Sequence, residues 1–551
     1  MSFPSLPLDQ AQHVDKTHHM NTKNAWEFPY TSQRMPVLAD NMVCTSQPLA
    51  SAAGLRVLER GGNAVDAAIA AAITLTVVEP CMNGIGSDAF ALVWDGKEMH
   101  GLNASGRAPR AWTPAHFADA PKMPSHGWDS VTVPGAVSGW MALSQRFGAL
   151  PFADLFESAI RHARAGFLVS PVVSKQWQEQ MLALQGRPDF MAAFAPEGRA
   201  PRPGERFRCA GQADTLQAIA DSGGHDFYRG AIAAAIARHA RATGGLLDET
   251  DLAEHTADWV VPIHTRYRDV ELHEIGPNGQ GIAALIALGI LGRTGFDKPE
   301  LDSVAFYHAQ IEAMKLAFAD VYSYVGDVSA MQPVTTEHLL DPDYLQQRAK
   351  LVDPSAAQFP GPGKPHTGGT VYLTTADSSG MMVSLIQSNY LGFGSGIVVP
   401  GTGIALQNRG SGFNLVPGHP NCVGPRKRPF HTIIPGFLMR AGQPLMSFGV
   451  MGGSMQAQGH LQVTVRITDH QQNPQAVIDA PRWRLLDDNA SVMVEWDFPP
   501  DAIAGLTQLG HRIVVADRYA SGFGGSQAIM RLGEGYLGAS DPRKDGQAVG
   551  F

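Results

Sequence analysis

The sequence predicts a mixed α/β protein, and three observations predict it. Of 551 residues, 44% are hydrophobic and 17% charged, against about 45–50% and 25% for ordinary soluble domains, so the chain can bury sizeable cores. The first two thirds carry Ala- and Leu-rich segments of helical character, punctuated by Gly and Pro. After about Leu351 the composition turns to β-branched and aromatic runs separated by turn residues.

Taken in order, the first clear pattern is PLASAAGLRVLERGGNAVDAAIAAAITLTVVEP, from Pro48 to Pro80. It predicts two helices broken at Gly61 and Gly62, where glycine stops the first. The second, Ala64 to Val78, is apolar on most faces and needs protein on most sides. It contains Asp66 and falls short of the roughly 20 residues that span a bilayer, so it reads as a buried helix. Further helices are predicted over Phe152–Ala165, Ala213–Ser222 and Val304–Val321. The stretch VDPSAAQFPGPGKPHTGG, residues 352–369, has little periodicity and reads as an exposed mobile loop. Thr370 to Ala376, the turn Asp377 to Gly380 and Met381 to Ser388 then read as a hairpin. Short strands are predicted at Ile397–Val399, Ile404–Leu406, Leu461–Ile467 and Ile513–Val515, with a short helix at Ala476–Arg482.

Charge and motifs narrow the function classes. Forty-two basic against 51 acidic residues leave a net charge of −9, with no basic stripe for nucleic acid. Cys44, Cys81, Cys209 and Cys422 are isolated, which indicates neither a disulfide framework nor a zinc site. The histidines lack ligand spacing, so no metal or other cofactor is expected. The first residues, MSFPSLPLDQAQHVDKTHHM, lack the basic and apolar regions of a secretory signal, and a cytoplasmic protein is expected. There is no nucleophile elbow, no Walker A sequence and no HExxH. Gly392-Phe-Gly-Ser-Gly396 leads into Ile-Val-Val-Pro400 rather than a helix, which argues against phosphate binding.

On residues alone, Gly-Gly-Thr before a strand is an ordinary turn junction. Six blocks change its weight: ASAAGLRVLERGGNAVDAAIAA (50–71), NASGRAP (103–109), HTGGTVYLTTADSSGMMVSLIQSNYLGFGSGIVVPGTGIALQNR (366–409), RKRPFHTIIP (426–435), GVMGGSMQAQGHLQ (449–462) and DAPRW (479–483). Together they resemble the γ-glutamyltransferase family of N-terminal-nucleophile hydrolases. QSNYLGFGSG and the closing ASDPRKDGQAVG most resemble a non-secreted subgroup that includes oxamate amidohydrolases.

The resemblance implies an α+β fold, the four-layer αββα sandwich. It also implies an inactive precursor that cuts itself between Gly369 and Thr370. The Thr370 hydroxyl would attack the Gly369 carbonyl, and hydrolysis would free Thr370 as a new N-terminus. Its α-amine, with a reference pKa of about 7.7–8.0, can then take the hydroxyl proton. Fragments 1–369 and 370–551 would stay together as a heterodimer, or a dimer of these, forming one catalytic unit. Ser388 falls where the family orients the nucleophile, with a Ser capping its own backbone as the alternative. Gly452 and Gly453 match the paired glycines of the oxyanion hole, or else an ordinary turn. Arg107 matches an arginine that grips a substrate carboxylate, with a surface salt bridge as its plain reading. His431 and Thr432 stand in place of two substrate-binding serines, and Asn408 matches a family amide; a satisfied core histidine is the alternative for His431.

Departures from the family pattern bear on substrate. Gly412 stands where transferases hold the α-ammonium of a γ-glutamyl group with an acid, Arg409 replaces a neutral residue, and Tyr390 replaces an amide. A pocket with Arg107 and Arg409 but no acid prefers an acyl group bearing carboxylate and no amine. Hydrolysis of oxamate to oxalate and ammonia is the expected reaction. A γ-glutamyl hydrolase or transferase, a glutaryl-type acylase, and an unprocessed, inactive binding protein are the alternatives.

Overall fold

The hairpin that opens at Thr370 lies at the centre of the molecule. A computed structural model describes residues 32–359, 369–518 and 520–551, and all elements below belong to the unit Met35–Phe551. Strand Gly369–Ala376 pairs antiparallel with Met382–Tyr390, Tyr372 opposite Ile386 and Thr374 opposite Ser384. From Thr370 onward both strands are buried along their whole length. Such near-continuous burial requires cover on both faces.

That cover comes from a second sheet and a layer of helices. The first sheet orders its seven antiparallel strands Gln547–Gly550, Met42–Thr45, Gly369–Ala376, Met382–Tyr390, Asp88–Trp94, Met99–Ala104 and Asp258–Val260. The second runs Val37–Ala39, Tyr536–Ser540, Gly525–Arg531, Gln443–Met451, Gly436–Arg440, Val270–Glu274 and Ile263–Tyr267, also antiparallel. Met42, Phe90, Tyr372, Ile386, Ile433, Phe437 and Ile529 fill the space between them. Polar links also cross this apolar layer, among them Thr374 Oγ1 to Ser447 Oγ at 2.6 Å and Ser384 Oγ donating to Phe448 O at 3.3 Å. Gly449 lets the sheets close, since a Cβ there would lie 2.4 Å from the Tyr372 ring.

Helices Pro48–Glu59, Ala64–Val78 and Ala136–Phe147 cover the first sheet. Gly281–Leu291 and Met455–His470 cover the second, with Val304–Tyr324 packed on them. The architecture is therefore the α+β, four-layer αββα sandwich. Every residue of Ala64–Val78 is buried, as its all-round apolarity requires. Asn63 and Asp66 form a reciprocal capping box at its start. Asp377 of the hairpin turn accepts the Ala64 N–H at 2.7 Å, which ties this helix to the central strands.

Several sequence expectations change. Leu461–Ile467, expected as a strand, lies inside the helix Met455–His470. Its β-branched alternation suits a strand, but this helix is buried on nearly every side, so the apolar residues need no helical stripe. Phe152–Ala165 is a 3-10 turn followed by the helix Glu157–Ala165, and Ala476–Arg482 contributes only to Pro474–Asp479. The helix-rich first part also supplies Met42–Thr45, Asp88–Trp94, Met99–Ala104 and Val270–Glu274 to the sheets. Of the expected mobile loop 352–369, residues 360–368 lie outside the described residues. The part before them is fastened. His308 Nε2 meets Asp353 O at 2.7 Å, Gln358 N donates to Glu312 at 2.9 Å, and Lys315 Nζ donates to Gln358 O at 3.0 Å. His308, Glu312 and His511 bring possible metal-ligand atoms within 4.8 Å of one another. The Lys315 ammonium already sits on Glu312 at 2.8 Å, so the carboxylate has its counter-charge. Among the described residues, no helix is long and apolar enough to cross a membrane.

Candidate active site

Thr370, the expected nucleophile, enters a closed ring of hydrogen bonds built by both sheets. Its hydroxyl donates to Ser388 Oγ at 3.2 Å, on the neighbouring strand of the hairpin. The same Ser388 oxygen accepts Tyr390 N–H at 2.8 Å and Arg409 Nη2 at 2.8 Å. Arg409 Nη1 donates to Thr432 Oγ1 at 2.7 Å. Gln280 Nε2 then bridges Thr432 O at 2.5 Å and Gly453 O at 2.8 Å. Gln456 closes the ring: its N–H donates to Gly453 O, and its Nε2 donates to Thr370 Oγ1 at 3.4 Å.

Each member is held by an element that the fold makes rigid. Gly452 and Gly453 lie between strand Gln443–Met451 and helix Met455–His470, with φ of +120° and +64°. A Cβ at Gly452 would stand 3.0 Å from Gly524 Cα, so both conformation and space call for glycine. The carbonyls of Gly452 and Gly453 accept the N–H groups of Met455 and Gln456, which starts the helix and sets its positive end beside Thr370. Tyr390 also has a positive φ, +78°, which ends the hairpin strand and brings its ring 4.5 Å from the Arg409 guanidinium.

Arg409 gives the site its electrostatic character. It is fully buried, both Nη atoms donate to hydroxyls, and among the described residues its Nε has no hydrogen-bond partner. Burial lowers its pKa to about 10, with Asp88 opposing, and it remains a cation at neutral pH. Among the described residues, no carboxylate stands within ion-pair distance of it. A buried cation without a contacting anion is costly and favours a ligand carboxylate.

The remaining expected site residues are placed as follows. Thr432 is part of the ring. His431 is buried beside Phe90, its Nε2 3.1 Å from Asp88 Oδ2, while its Nδ1 accepts Ile433 N–H at 3.4 Å. These partners assign the proton to Nε2. Burial, Arg409 and Arg428 hold its pKa well below the ordinary value, so the ring is neutral. Asn408 accepts Leu391 N–H at 3.0 Å and donates to Ser125 O at 2.7 Å; it braces the chain around the site. Arg107 is partly exposed and pairs with Asp258 at 3.3 Å and with Asp327 at 3.9 Å. It makes no hydrogen bond to the ring among the described residues. Gly412 ends the turn Arg409–Gly412, and a Cβ there would lie 2.7 Å from Phe430 O, so a side chain has no room without a shift. A surface cleft of about 450 Å³ beside Trp128, Arg187 and His239 shares no residue with the ring.

Sequence reading missed Asp88, Gln280 and Gln456. Gln456 lay within the GGSMQAQGH block and could have been noticed there. Gln280 and Asp88 come from distant segments, and only the folded chain brings Gln280 into the ring and sets Asp88 opposite Ser388.

A central strand that opens with the expected nucleophile Thr370, at the core of an αββα sandwich and beside a glycine pair at a helix start, is the arrangement expected of an N-terminal-nucleophile amidohydrolase. The gamma-glutamyltranspeptidase family model matches residues 50–551, and the chain belongs to that family. It is 36% identical to a glutathione hydrolase-like proenzyme of Bacillus subtilis, over 93% of this chain and 98% of that protein. It is 35% identical to an oxamate amidohydrolase proenzyme of Klebsiella pneumoniae, over 94% and 99%. Its fold is similar to the crystal structure of a cephalosporin acylase from Bacillus halodurans, with a TM-score of 0.91, 48% identity, and 96% and 99% of the two chains covered.

Proposed function

We propose that the protein cuts itself between Gly369 and Thr370 and then hydrolyses a small carboxylate-bearing amide, oxamate above all, through an acyl-enzyme on Thr370. In the cleaved protein the Thr370 α-amine takes the hydroxyl proton, and Oγ1 attacks the amide carbonyl. N–H groups at Gly452 and Gly453 receive the oxyanion. Ammonia leaves with the proton, water attacks the ester, and oxalate departs.

The observation that carries the substrate reading is Arg409, a buried guanidinium sharing the Ser388 oxygen with Thr370. In oxamate the carboxylate is bonded directly to the scissile carbonyl. A cation only two hydrogen bonds from the attacking oxygen suits that short separation. The absence of a side chain at Gly412 leaves nothing there to hold an ammonium. The oxamate amidohydrolase name of one relative supports the same reading.

A second reading is favoured by the likeness to a cephalosporin acylase: a longer, glutaryl-type acyl group whose far carboxylate reaches Arg107. Steady-state assays of cleaved protein separate them. Oxamate turnover that Arg409→Met removes and Arg107→Met spares supports the first. Efficient release from γ-glutamyl-p-nitroanilide, with oxamate left intact, would sink it.

A further inference from the structure

Asp88 supplies a second charge to the pocket, and the inference drawn from it rests on the Arg409 reading above. Asp88 lies directly across the strand pair from Ser388 and is fully buried. Its Oδ1 accepts the N–H groups of Gly106 at 3.1 Å and Gly135 at 3.0 Å, and its Oδ2 meets His431 Nε2 at 3.1 Å. Three donors suit an anion. The cations that act on it are Arg409, whose Nη2 donates to the Ser388 that stands opposite Asp88, and Arg428. Arg428 is already engaged by Asp258 at 2.5 Å and by Ser105 O at 2.9 Å, which leaves Arg409 as the cation for Asp88 to balance. The other titratable groups around it are the neutral His431 and Tyr228, whose phenol is raised by burial and donates to Pro134 O.

A substrate carboxylate on Arg409 adds a second anion to the surroundings of one buried guanidinium, with Asp88 one residue away across Ser388. Two buried anions sharing one cation do not both stay ionised when one can take a proton.

We propose that Asp88 is the exchangeable counter-ion of the acyl pocket: ionised while Arg409 faces no other anion, it takes one proton from solvent when a substrate carboxylate docks on that guanidinium. Its new hydroxyl donates to His431 Nε2, with the ring proton moved to Nδ1 at the cost of the long contact to Ile433 N–H. Burial already lifts the Asp88 carboxyl to about 7, against the pull of Arg409, so Asp88 is mainly ionised only above neutral pH and little added negative potential completes its protonation. The pocket then selects an acyl group with one carboxylate: an uncharged one leaves Asp88 ionised and gains nothing from Arg409. Asp88 acts through Arg409 and His431 and is a positioning residue.

The test titrates cleaved protein calorimetrically with oxalate near neutral pH, in two buffers of different ionisation enthalpy. The Thr370 α-amine also titrates there but is common to wild type and Asp88→Asn, so their difference reports Asp88. The expected result is about half a proton more in the wild type at pH 7 and about one at pH 8, with affinity falling about tenfold per pH unit above about pH 8 and a flatter profile in the variant. Infrared difference spectra should show a protonated-carboxyl band on oxalate addition that moves on 13C-aspartate labelling. Equal proton uptake in both proteins, or no such band, overturns the proposal while leaving oxalate binding at Arg409 intact. If wild type does not bind oxalate at all, the Arg409 reading fails and takes this one with it. Should Asp88→Asn not fold, the wild-type infrared band alone decides.

Discussion

Three donors converge on one hydroxyl oxygen at Ser388: Thr370 Oγ1, Tyr390 N and Arg409 Nη2. That convergence fixes the direction of the Thr370 hydroxyl and puts the cation next to the expected point of attack. Ser388→Ala leaves Arg409 and Tyr390 N–H without this acceptor, so a loss of about 1–3 kcal/mol in stability is expected. The same variant should process slowly and lose activity, read by gel electrophoresis and ammonia release. Thr370→Ala should give one uncut chain under denaturing electrophoresis; two fragments from it would refute the assignment of the nucleophile. Arg409→Met should lower kcat/KM for oxamate by about 30-fold or more, the scale of losing a buried charged partner at 2–5 kcal/mol. At this scale Thr370, Ser388, Arg409 and Thr432 were legible as positions in a family pattern. The bond from Arg409 to Ser388 was not, because 21 residues separate them and a tight turn at Arg409–Gly412 brings them together.

Among the elements, the hairpin and the helix at Met455–His470 have to meet for the site to exist. Gly452→Ala should cost about 1–3 kcal/mol through its positive φ and reduce turnover about 10²–10³-fold through a displaced oxyanion donor; thermal melts and steady-state kinetics check the two parts. Tyr372 is buried between the sheets with its hydroxyl 2.7 Å from Ser384 Oγ. Tyr372→Asp should therefore abolish soluble, processed protein, read from expression and electrophoresis. The hairpin was legible because its runs are bounded by Asp-Ser-Ser-Gly. The strand Asp88–Trp94, DAFALVW, is buried on both faces, and a continuous apolar run of that length does not distinguish strand from helix. The same ambiguity, resolved the other way, explains Leu461–Ile467.

For the whole molecule, the proposed fragments are interleaved. Met42–Thr45 lies between Gln547–Gly550 and Gly369–Ala376, while Val37–Ala39 and Val270–Glu274 flank the four strands of the second sheet that follow residue 370. Cleaved protein should elute as a single species under native conditions and separate only when denatured. A second global prediction concerns His511, which burial, Lys315 and His308 lower to about 3. The folded ring stays neutral while the unfolded chain protonates below about pH 6.5. Its contribution is thus present above that pH and is lost as pH falls toward the folded value. The melting-temperature gap between wild type and His511→Gln should shift in the variant's favour as pH drops below about 6.5; a pH-independent gap would refute the linkage.

The sequence alone determined the class of fold, the central hairpin, the buried helix after Gly62, and the family to which Thr370 and the glycine pair belong. Each is written in local chemistry: turn residues, apolar periodicity and contiguous blocks. Tertiary structure alone decided which polar and charged side chains gather around Thr370 and Ser388. Asp88, Gln280, Arg409 and Gln456 come from separate segments, and strand pairing across the two sheets sets their distances. Since the cost of a buried charge depends on what surrounds it rather than on its neighbours along the chain, the ring around Thr370 and the Asp88 counter-ion could be read only from the folded molecule.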